Sequence, residues 1–497
     1  MLTDRLPRSG GPGAALALAV IVVCSFLLRL DFGLTQQGIY WPDEIFQTIE
    51  PAHDLVYGHG LLPWEFAQGA RNWVLPGLIG GVLAAARLVG IDDPAGYLGV
   101  LRGVLAAVGA ATVASTYLLA RVHGASRAAS LAGVAAAAFA APIVFFGHRA
   151  LSEVASALPV TLGLALGLWA LRAPPSDARR RRALVLGAAA LLGLAVVLRL
   201  QTGVFAAGMT IALLASRRWR DAGLLAGGVA AWLLALGVLD QLTWGHPLWS
   251  IRQYLEYNVV SDVAAEIWGR QPAWYYAERM LDTAPLMTVL LLAGAVAAWR
   301  RAPALLAIIA AFLLVHVVAA HKELRFILPG LPAACALAAI GLDDLARRLD
   351  GRLAAGAMAA FAAVAVLSAL DVPSLTTAQL KGGSDREPGS AWRDSDAVNR
   401  LLLSASARPD LCGLKIESTQ LSFTGGYSYL NRPGPLYGPE GPPARSRFYN
   451  YVIASAPTVR TPAVVAQRDG LALMRIAPSC LPDPGYVESL GPAPPRD

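Results

Sequence analysis

The sequence predicts a polytopic, all-α membrane protein with a small α/β domain at its C-terminal end. Hydrophobic residues make up 56% of the 497 positions and charged residues only 15%. Runs rich in Ala, Leu, Val and Gly recur along the first 370 residues, and many approach the roughly 20 residues that a helix needs to cross a bilayer. After Leu370 these runs stop, and Pro, Gly, Ser and Asp become frequent. A soluble class is therefore excluded for most of the chain.

The apolar runs predict eleven membrane-spanning helices. We expect them at 14–31, 97–120, 128–147, 153–171, 183–199, 201–216, 221–240, 283–299, 303–319, 326–346 and 353–370. The segment 73–90 is apolar but short and contains Pro76 and Arg87, so we expect it to be interfacial or re-entrant. The first run lacks a small-residue cleavage site, which favours a retained span over a signal peptide.

The arginines predict the orientation of these spans. Short arginine-rich loops, such as 179–182 and 217–220, alternate along the chain with the remaining loops. Under the positive-inside rule the arginine-rich loops and the N-terminus are cytoplasmic. The loops at 32–96, 148–152, 199–202, 241–282 and 320–325, and the chain after 370, then lie outside.

The basic residues also indicate whether the protein binds nucleic acid and what kind of genome encodes it. The cytoplasmic arginines account for much of the net charge of +7, and no aromatic-basic motif accompanies them, so a nucleic-acid partner is not expected. Only three of the 41 basic residues are lysines, and Ala and Gly are abundant. This bias indicates a GC-rich bacterial genome, and hence a multi-pass protein of a bacterial plasma membrane.

The change of composition predicts three regions: a transmembrane domain at 1–370, a linker at 371–393 and an extracytoplasmic α/β domain at 394–497. Residues 394–407 have helical spacing, with Val398, Leu401 and Leu402 on one side. Short strands are expected at 414–416, 449–454, 463–467 and 471–476. Cys412 and Cys480 are the cysteines of this region, and an oxidising compartment would permit a disulfide between them.

Carboxylates are concentrated in the first outer loop, at residues 43–54. Pro42 suits the first position of a helix, and Asp43 and Glu44 then lie in the first turn, where the helix dipole favours ionised acids. Regular α-helical spacing would place Asp43, Gln47, Glu50 and Asp54 on one face. A solvent-exposed helix start explains the same pattern, and an active-site loop is the alternative.

Several motifs of the sequence resemble one known family. Trp-Pro-Asp-Glu-Ile-Phe-Gln-Thr-Ile-Glu-Pro-Ala-His at 41–53, Gly-His-Gly-Leu-Leu-Pro-Trp-Glu-Phe at 58–66 and Arg71 are similar to the first loop of the Alg9/PIG-B-like mannosyltransferases. His-Lys-Glu-Leu-Arg-Phe at 321–326 resembles a second signature of that family. Weaker matches lie at 148–153 and between 240 and 276. Trp41 departs from the family, which usually has His there.

Residue chemistry and this resemblance together define the expected site. An inverting glycosyl transfer needs a base for the attacking hydroxyl, and cations can stabilise the leaving phosphate without a divalent ion. Asp43 and Glu44 are the candidate bases, and the resemblance favours Asp43. Donor phosphate would be bound by Arg71, Arg149, Arg199, Lys322 and Arg325, and substrate by Gln47, Glu50, His321 and Glu323.

The resemblance implies a GT-C fold, a polyprenyl-phosphate mannose donor and a lipid- or glycan-linked acceptor. No cofactor and no metal ion are expected. Three alternatives stay open: transfer of another sugar such as arabinose or glucose, a secondary transporter, and a non-catalytic scaffold. Residues 321–325, with Arg149 and Arg199, could also anchor spans at the membrane edge.

Overall fold

The computed structural model describes residues 12–174, 176–261, 263–382, 389–443, 447–457 and 463–490. The chain divides into two compact units. The first comprises Met1–Asp31, Leu105–Ile251 and Leu255–Glu387, and the second comprises Phe32–Val104, Arg252–Tyr254 and Pro388–Asp497. Part of the predicted linker, 383–388, and the first eleven residues lie outside the described residues.

Within the described ranges, seven helices are long and apolar enough to cross a membrane. They are Pro12–Thr35, Pro94–Val122, Ser152–Arg172, Ala178–Leu198, Trp219–Trp244, Leu324–Ala346 and Gly351–Ser374. Five shorter apolar helices are Val74–Leu88, Arg127–Phe139, Leu200–Ala215, Pro285–Arg300 and Pro303–Val318. The eleven predicted spans coincide with the seven long helices and with four of the shorter ones. The polytopic membrane class is therefore confirmed, and Val74–Leu88 is the segment predicted to be interfacial or re-entrant.

Further helices connect these elements or belong to the C-terminal part of the chain. Their bounds are Glu50–Tyr57, Trp64–Ala67, Ala141–Phe146, Trp249–Leu255, Val263–Trp268, Tyr275–Thr283, Thr377–Lys381, Asp396–Ser406 and Gly426–Leu430.

Small residues bring the helices of the first unit close together. A Cβ atom added at Gly294, in the helix Pro285–Ala297, would lie 2.7 Å from backbone atoms of Ala338. A Cβ at Gly133 would lie 2.7 Å from that of Ala339. Helices in lipid gain most of their association energy from such close packing, because there is little hydrophobic driving force between them.

The predicted span 128–147 is interrupted at Ala140, where Arg127–Phe139 ends and Ala141–Phe146 begins. Pro142 lacks the amide that would continue the hydrogen-bond ladder. Arg29 compensates in part, because its guanidinium donates to the carbonyl oxygens of Ala137 and Ala138 at 3.3 and 3.1 Å. The freed backbone groups are thus satisfied by a side chain, as membrane helices require.

A five-stranded mixed sheet forms the C-terminal part of the second unit. The strands are β1 (Leu414–Ile416), β2 (Leu436–Tyr437), β3 (Tyr451–Ser455), β4 (Val464–Arg468) and β5 (Leu471–Arg475), in the order β2-β1-β3-β5-β4. β1 pairs in parallel with β2 and β3, whereas β5 pairs antiparallel with β3 and β4. The helix Asp396–Ser406 buries Val398, Leu401 and Leu402, as predicted. The Cys412–Cys480 disulfide is also confirmed.

Candidate active-site clusters

The acidic loop becomes helical at Asp43, close to the predicted start. The amides of Ile45 and Phe46 donate to the carbonyl oxygen of Pro42. Ile45–Ile49 then form one π-helical turn, in which the amide of Glu50 donates to the carbonyl of Ile45, five residues back. One additional residue in a turn rotates the following side chains by roughly 100° relative to a regular α-helix. The single face predicted for Asp43, Gln47, Glu50 and Asp54 is therefore interrupted.

Glu50 lies on the far side of this π-turn and is fully buried. Its Oε1 accepts hydrogen bonds from the amides of Leu61 and Tyr427, and its Oε2 accepts one from the amide of Ser428, at 2.8–2.9 Å. Burial raises the pKa of Glu50 to about 7, against the lowering effect of these donors. Both oxygens are occupied by the protein backbone, so these contacts give no support to the substrate-binding role predicted for Glu50.

Asp43, Gln47, Glu65 and Arg71 form what we term the first-loop cluster. The Gln47 side chain donates to Glu65 Oε1 at 3.0 Å. The pKa of the Glu65 carboxyl is raised, chiefly by burial. The negative charge of Asp43 adds to this rise, and the positive charge of Arg71 opposes it. Arg71 also lies over the ring of Tyr254, 5.9 Å from its centre. The second unit therefore places two carboxylates, a cation and an amide within electrostatic range of one another.

Glu65 is absent from the residues predicted for the site, although its Trp-Glu-Phe segment is part of a quoted motif. Its signal in the sequence is an acid in the first turn of a short helix, Trp64–Ala67, which follows Pro63. Glu44 is buried beside the cluster, and its carbonyl oxygen accepts a hydrogen bond from the Thr48 hydroxyl. Asp43 is less enclosed than Glu44.

The first unit contains a second group, which we term the arginine–glutamate cluster: Glu153, Arg199, His321, Glu323 and Arg325. Arg199 Nη1 lies 2.9 Å from Glu153 Oε1, and Arg325 Nη1 lies 3.7 Å from the same oxygen. Arg325 also donates to both oxygens of Glu323, at 2.8 and 3.0 Å. Both glutamates are thus bound by guanidinium groups, and each arginine has a carboxylate partner.

His321 and Glu323 are the two members of this cluster that lie just before Arg325 in the sequence. His321 Nε2 lies 3.2 Å from Glu323 Oε1, and its Nδ1 is 3.1 Å from the carbonyl oxygen of Gly269. Burial would raise the pKa of Glu323, but the charge of Arg325 and the hydrogen bonds from His321 and Arg325 hold it at about 2. Glu323 is therefore an ionised acceptor that fixes the side chain of Arg325.

Lys322 and Arg149 have different surroundings. Lys322 Nζ donates to the carbonyl oxygens of Gln271, at 2.8 Å, and of Ala319. Arg149 is buried, and its guanidinium lies over the ring of Phe145, 4.6 Å from the centre. Phe326 similarly supports the cluster, with Arg199 and Arg325 at 5.0 and 5.3 Å from its ring centre. Flat aromatic surfaces therefore orient three of the predicted phosphate-binding arginines.

Most of the predicted site residues belong to one of two clusters, and each cluster lies within a single unit. Asp43, Gln47 and Arg71 belong to one cluster, and Arg199, His321, Glu323 and Arg325 to the other. Glu153 joins the second cluster without having been predicted as a site residue. Across the described ranges, no group of three or more His, Cys, Asp or Glu side chains is arranged to hold a metal ion.

The apolar helices define a multi-pass membrane protein, and its likeness to solved structures shows that the fold is of the GT-C type. Two solved structures share this architecture. ArnT from Cupriavidus metallidurans, bound to undecaprenyl phosphate, aligns over 96% of this chain and 100% of its own, with a TM-score of 0.62 and 13% identity. The Archaeoglobus fulgidus oligosaccharyltransferase in its apo form aligns over 89% and 69%, with a TM-score of 0.55 and 13% identity. At these identities the likeness concerns the fold alone.

Residues 20–378 match the model of the Alg9-like mannosyltransferase family, and the chain belongs to this family. It is 31% identical over 344 residues to GPI mannosyltransferase 3 of Yarrowia lipolytica, covering 66% of this chain and 63% of that protein. It is 27% identical over 337 residues to alpha-1,2-mannosyltransferase alg9 of Schizosaccharomyces pombe, covering 61% and 54%. The chain thus spans less than two thirds of the length of these relatives. The family indicated by the motifs is confirmed.

Proposed function

We propose that this protein is an inverting mannosyltransferase that moves mannose from a polyprenyl-phosphate donor to a hydroxyl of a lipid- or glycan-linked acceptor. The observation that carries the proposal is the family match over residues 20–378, which includes every residue given a role below. We place the reaction on the outer face of a bacterial plasma membrane, on the basis of the arginine distribution. The name of the Yarrowia relative supports mannose as the sugar.

In this proposal Asp43 is the base. Its carboxylate stands at the start of a helix, where the N-terminal dipole favours the charged form that can accept a proton. Glu65 and Gln47 lie beside it, and Arg71 compensates part of the negative charge. Glu44 is the alternative base. It is more deeply buried than Asp43, and an acceptor hydroxyl would have less access to it.

The leaving polyprenyl phosphate is stabilised by the basic residues of the first unit. Arg199 and Arg325 are oriented by glutamates and by Phe326, so little rotational freedom would be lost on binding an anion. Lys322 donates hydrogen bonds to the carbonyl oxygens of Gln271 and Ala319, which carry no net charge and leave its positive charge to act on a phosphate. ArnT, a relative in fold, binds undecaprenyl phosphate, which supports a polyprenyl carrier.

The test is transfer of labelled mannose from polyprenyl-phosphate mannose by the purified, reconstituted protein. Asp43→Asn should lower turnover by about 10²- to 10⁴-fold, the usual contribution of a general base, because the amide keeps the shape and loses the basic oxygen. Donor binding should stay near that of the wild type. Asp54→Asn, in the same helical segment, is the matched control and should retain transfer.

The same assay separates the proposed sugar from its alternatives. Donors that carry arabinose or glucose should react more slowly than the mannose donor.

Retention of more than about a tenth of the wild-type rate in Asp43→Asn would transfer the role of base to Glu44 or another acid. Absence of transfer from every polyprenyl-phosphate sugar by the wild type would contradict the proposed reaction.

A further inference from the structure

Three buried polar side chains of the first unit, one of which belongs to the arginine–glutamate cluster, have unused hydrogen-bonding atoms. They are Arg199, Tyr276 and His316, and each is at most 7% exposed. Within the part of the chain that the structure describes, Arg199 Nε and Nη2, the Tyr276 hydroxyl and His316 Nε2 make no hydrogen bond. A buried polar group without a partner costs about 1–3 kcal/mol, so three neighbouring ones are not explained by packing alone.

These side chains come from three separate elements of the first unit. Arg199 follows the helix Ala178–Leu198, whereas Tyr276 and His316 belong to Tyr275–Thr283 and Pro303–Val318. The rings of Tyr276 and His316 are 6.4 Å apart and nearly perpendicular. Arg199 and Glu153 are close enough to act electrostatically on both rings.

The hydrogen-bonding character of each atom can be assigned. His316 Nδ1 lies 2.8 Å from the carbonyl oxygen of Phe312, which can only accept, so Nδ1 carries the proton. In the neutral imidazole Nε2 is then an acceptor. Arg199 offers donors, and the Tyr276 hydroxyl can do either. The three side chains therefore present donors and at least one acceptor together.

We propose that Tyr276 and His316 bind hydroxyl groups of the donor's sugar, next to Arg199, which the proposed function assigns to the phosphate. A sugar hydroxyl both donates and accepts, and so satisfies donors and an acceptor at once. A phosphodiester only accepts, and would leave His316 Nε2 without a partner. This inference rests on the proposed function, and it adds Tyr276 and His316 as specificity-determining residues for the transferred sugar.

Binding measurements on the full-length protein test the inference. Two ligands are compared: polyprenyl-phosphate mannose and polyprenyl phosphate without a sugar. Tyr276→Phe removes only the hydroxyl, and His316→Asn keeps a donor near Phe312 while it removes Nε2. Each variant should weaken binding of the mannose lipid about three- to tenfold, the range of one neutral hydrogen bond, and leave binding of the sugar-free lipid unchanged. Tyr275→Phe is the matched control, because its hydroxyl contacts the carbonyl of Lys381 instead.

A series of deoxymannose donors supplies a measurement that does not depend on a variant. The wild type should bind at least one of them three- to tenfold more weakly, and Tyr276→Phe should add no further loss with that donor. Equal weakening of both lipids would show that Tyr276 and His316 act on the phosphate and would overturn the inference. Unchanged binding with an altered unfolding midpoint would show a structural or water-binding role and would also overturn it. Failure of the wild type to bind or use the mannose lipid would instead refute the proposed function.

Discussion

Glu153→Gln should destabilise the protein strongly, because it leaves two buried arginines without a shared counter-charge. At an effective dielectric constant of about 20, unit charges at the observed separations of 2.9 and 3.7 Å attract by about 6 and about 4.5 kcal/mol. Loss of hydration offsets most of this attraction, but removal of one partner from a buried pair still costs about 3–5 kcal/mol. We expect a loss of that size in the free energy of unfolding.

Denaturant unfolding in detergent micelles, followed by fluorescence of the 12 tryptophans, measures this loss. Arg199→Gln and the double variant with Glu153→Gln complete a double-mutant cycle, and the double variant should recover at least about 1 kcal/mol relative to the sum of the single ones. Glu278→Gln breaks an ion pair in which the glutamate is about half exposed, and should cost no more than about 1 kcal/mol. An equally small effect for Glu153→Gln, with no coupling in the cycle, would refute the idea that Glu153 holds Arg199 in place.

Three further predictions concern stability and topology. Burial raises the pKa of Glu50 to about 7, so the folded state holds this proton more tightly than the unfolded state does. The free energy of unfolding of the wild type should therefore fall by about 3 kcal/mol as pH rises from about 4.5 to about 7. Glu50→Gln should abolish that dependence on pH. A slope that is flat in both proteins would show that the backbone donors keep Glu50 ionised. The double variant Cys412→Ala, Cys480→Ala removes a disulfide that links residues 68 positions apart, and should lower the free energy of unfolding by about 4 kcal/mol. An unchanged free energy of unfolding would mean that the disulfide does not constrain the unfolded chain. In intact cells, Ser261→Cys should react with an impermeant maleimide and Ser176→Cys should not; labelling at Ser176 would invert the proposed orientation.

The sequence predicted the helices and most strands because their hydrophobic patterns are local. The run at 414–416 matches β1, and the helix predicted at 394–407 is Asp396–Ser406. β2 was missed because two residues, Leu436 and Tyr437, are too few to show an alternating pattern. The break at Ala140 was missed because the apolar run continues through it, and only Pro142 signals the interruption.

The site was less predictable, because its contacts depend on distant parts of the chain. Glu50 was grouped with Asp43 by regular helical spacing, and the π-turn at Ile45–Ile49 gives no clear sequence signal. The amides that bind Glu50 belong partly to Tyr427 and Ser428, which periodicity cannot connect to residue 50. Glu65 and Glu153 lay inside quoted motifs, but their roles depend on which side chains they face. The predicted catalytic and binding roles themselves stay predictions.

The bonds of Glu50 have a consequence for biosynthesis. Glu50 and Ser428 are 378 positions apart, so the ribosome must add that many residues before the last donor exists. At roughly 5–20 residues per second this takes about 20–75 s. For most of that interval the first loop has emerged from the ribosome, while the amides of Tyr427 and Ser428, which complete the enclosure of the Glu50 carboxylate, have not been made. Maturation of the loop is therefore limited by the rate of translation, and a nascent chain arrested before residue 428 should expose the loop to proteases that the finished protein resists.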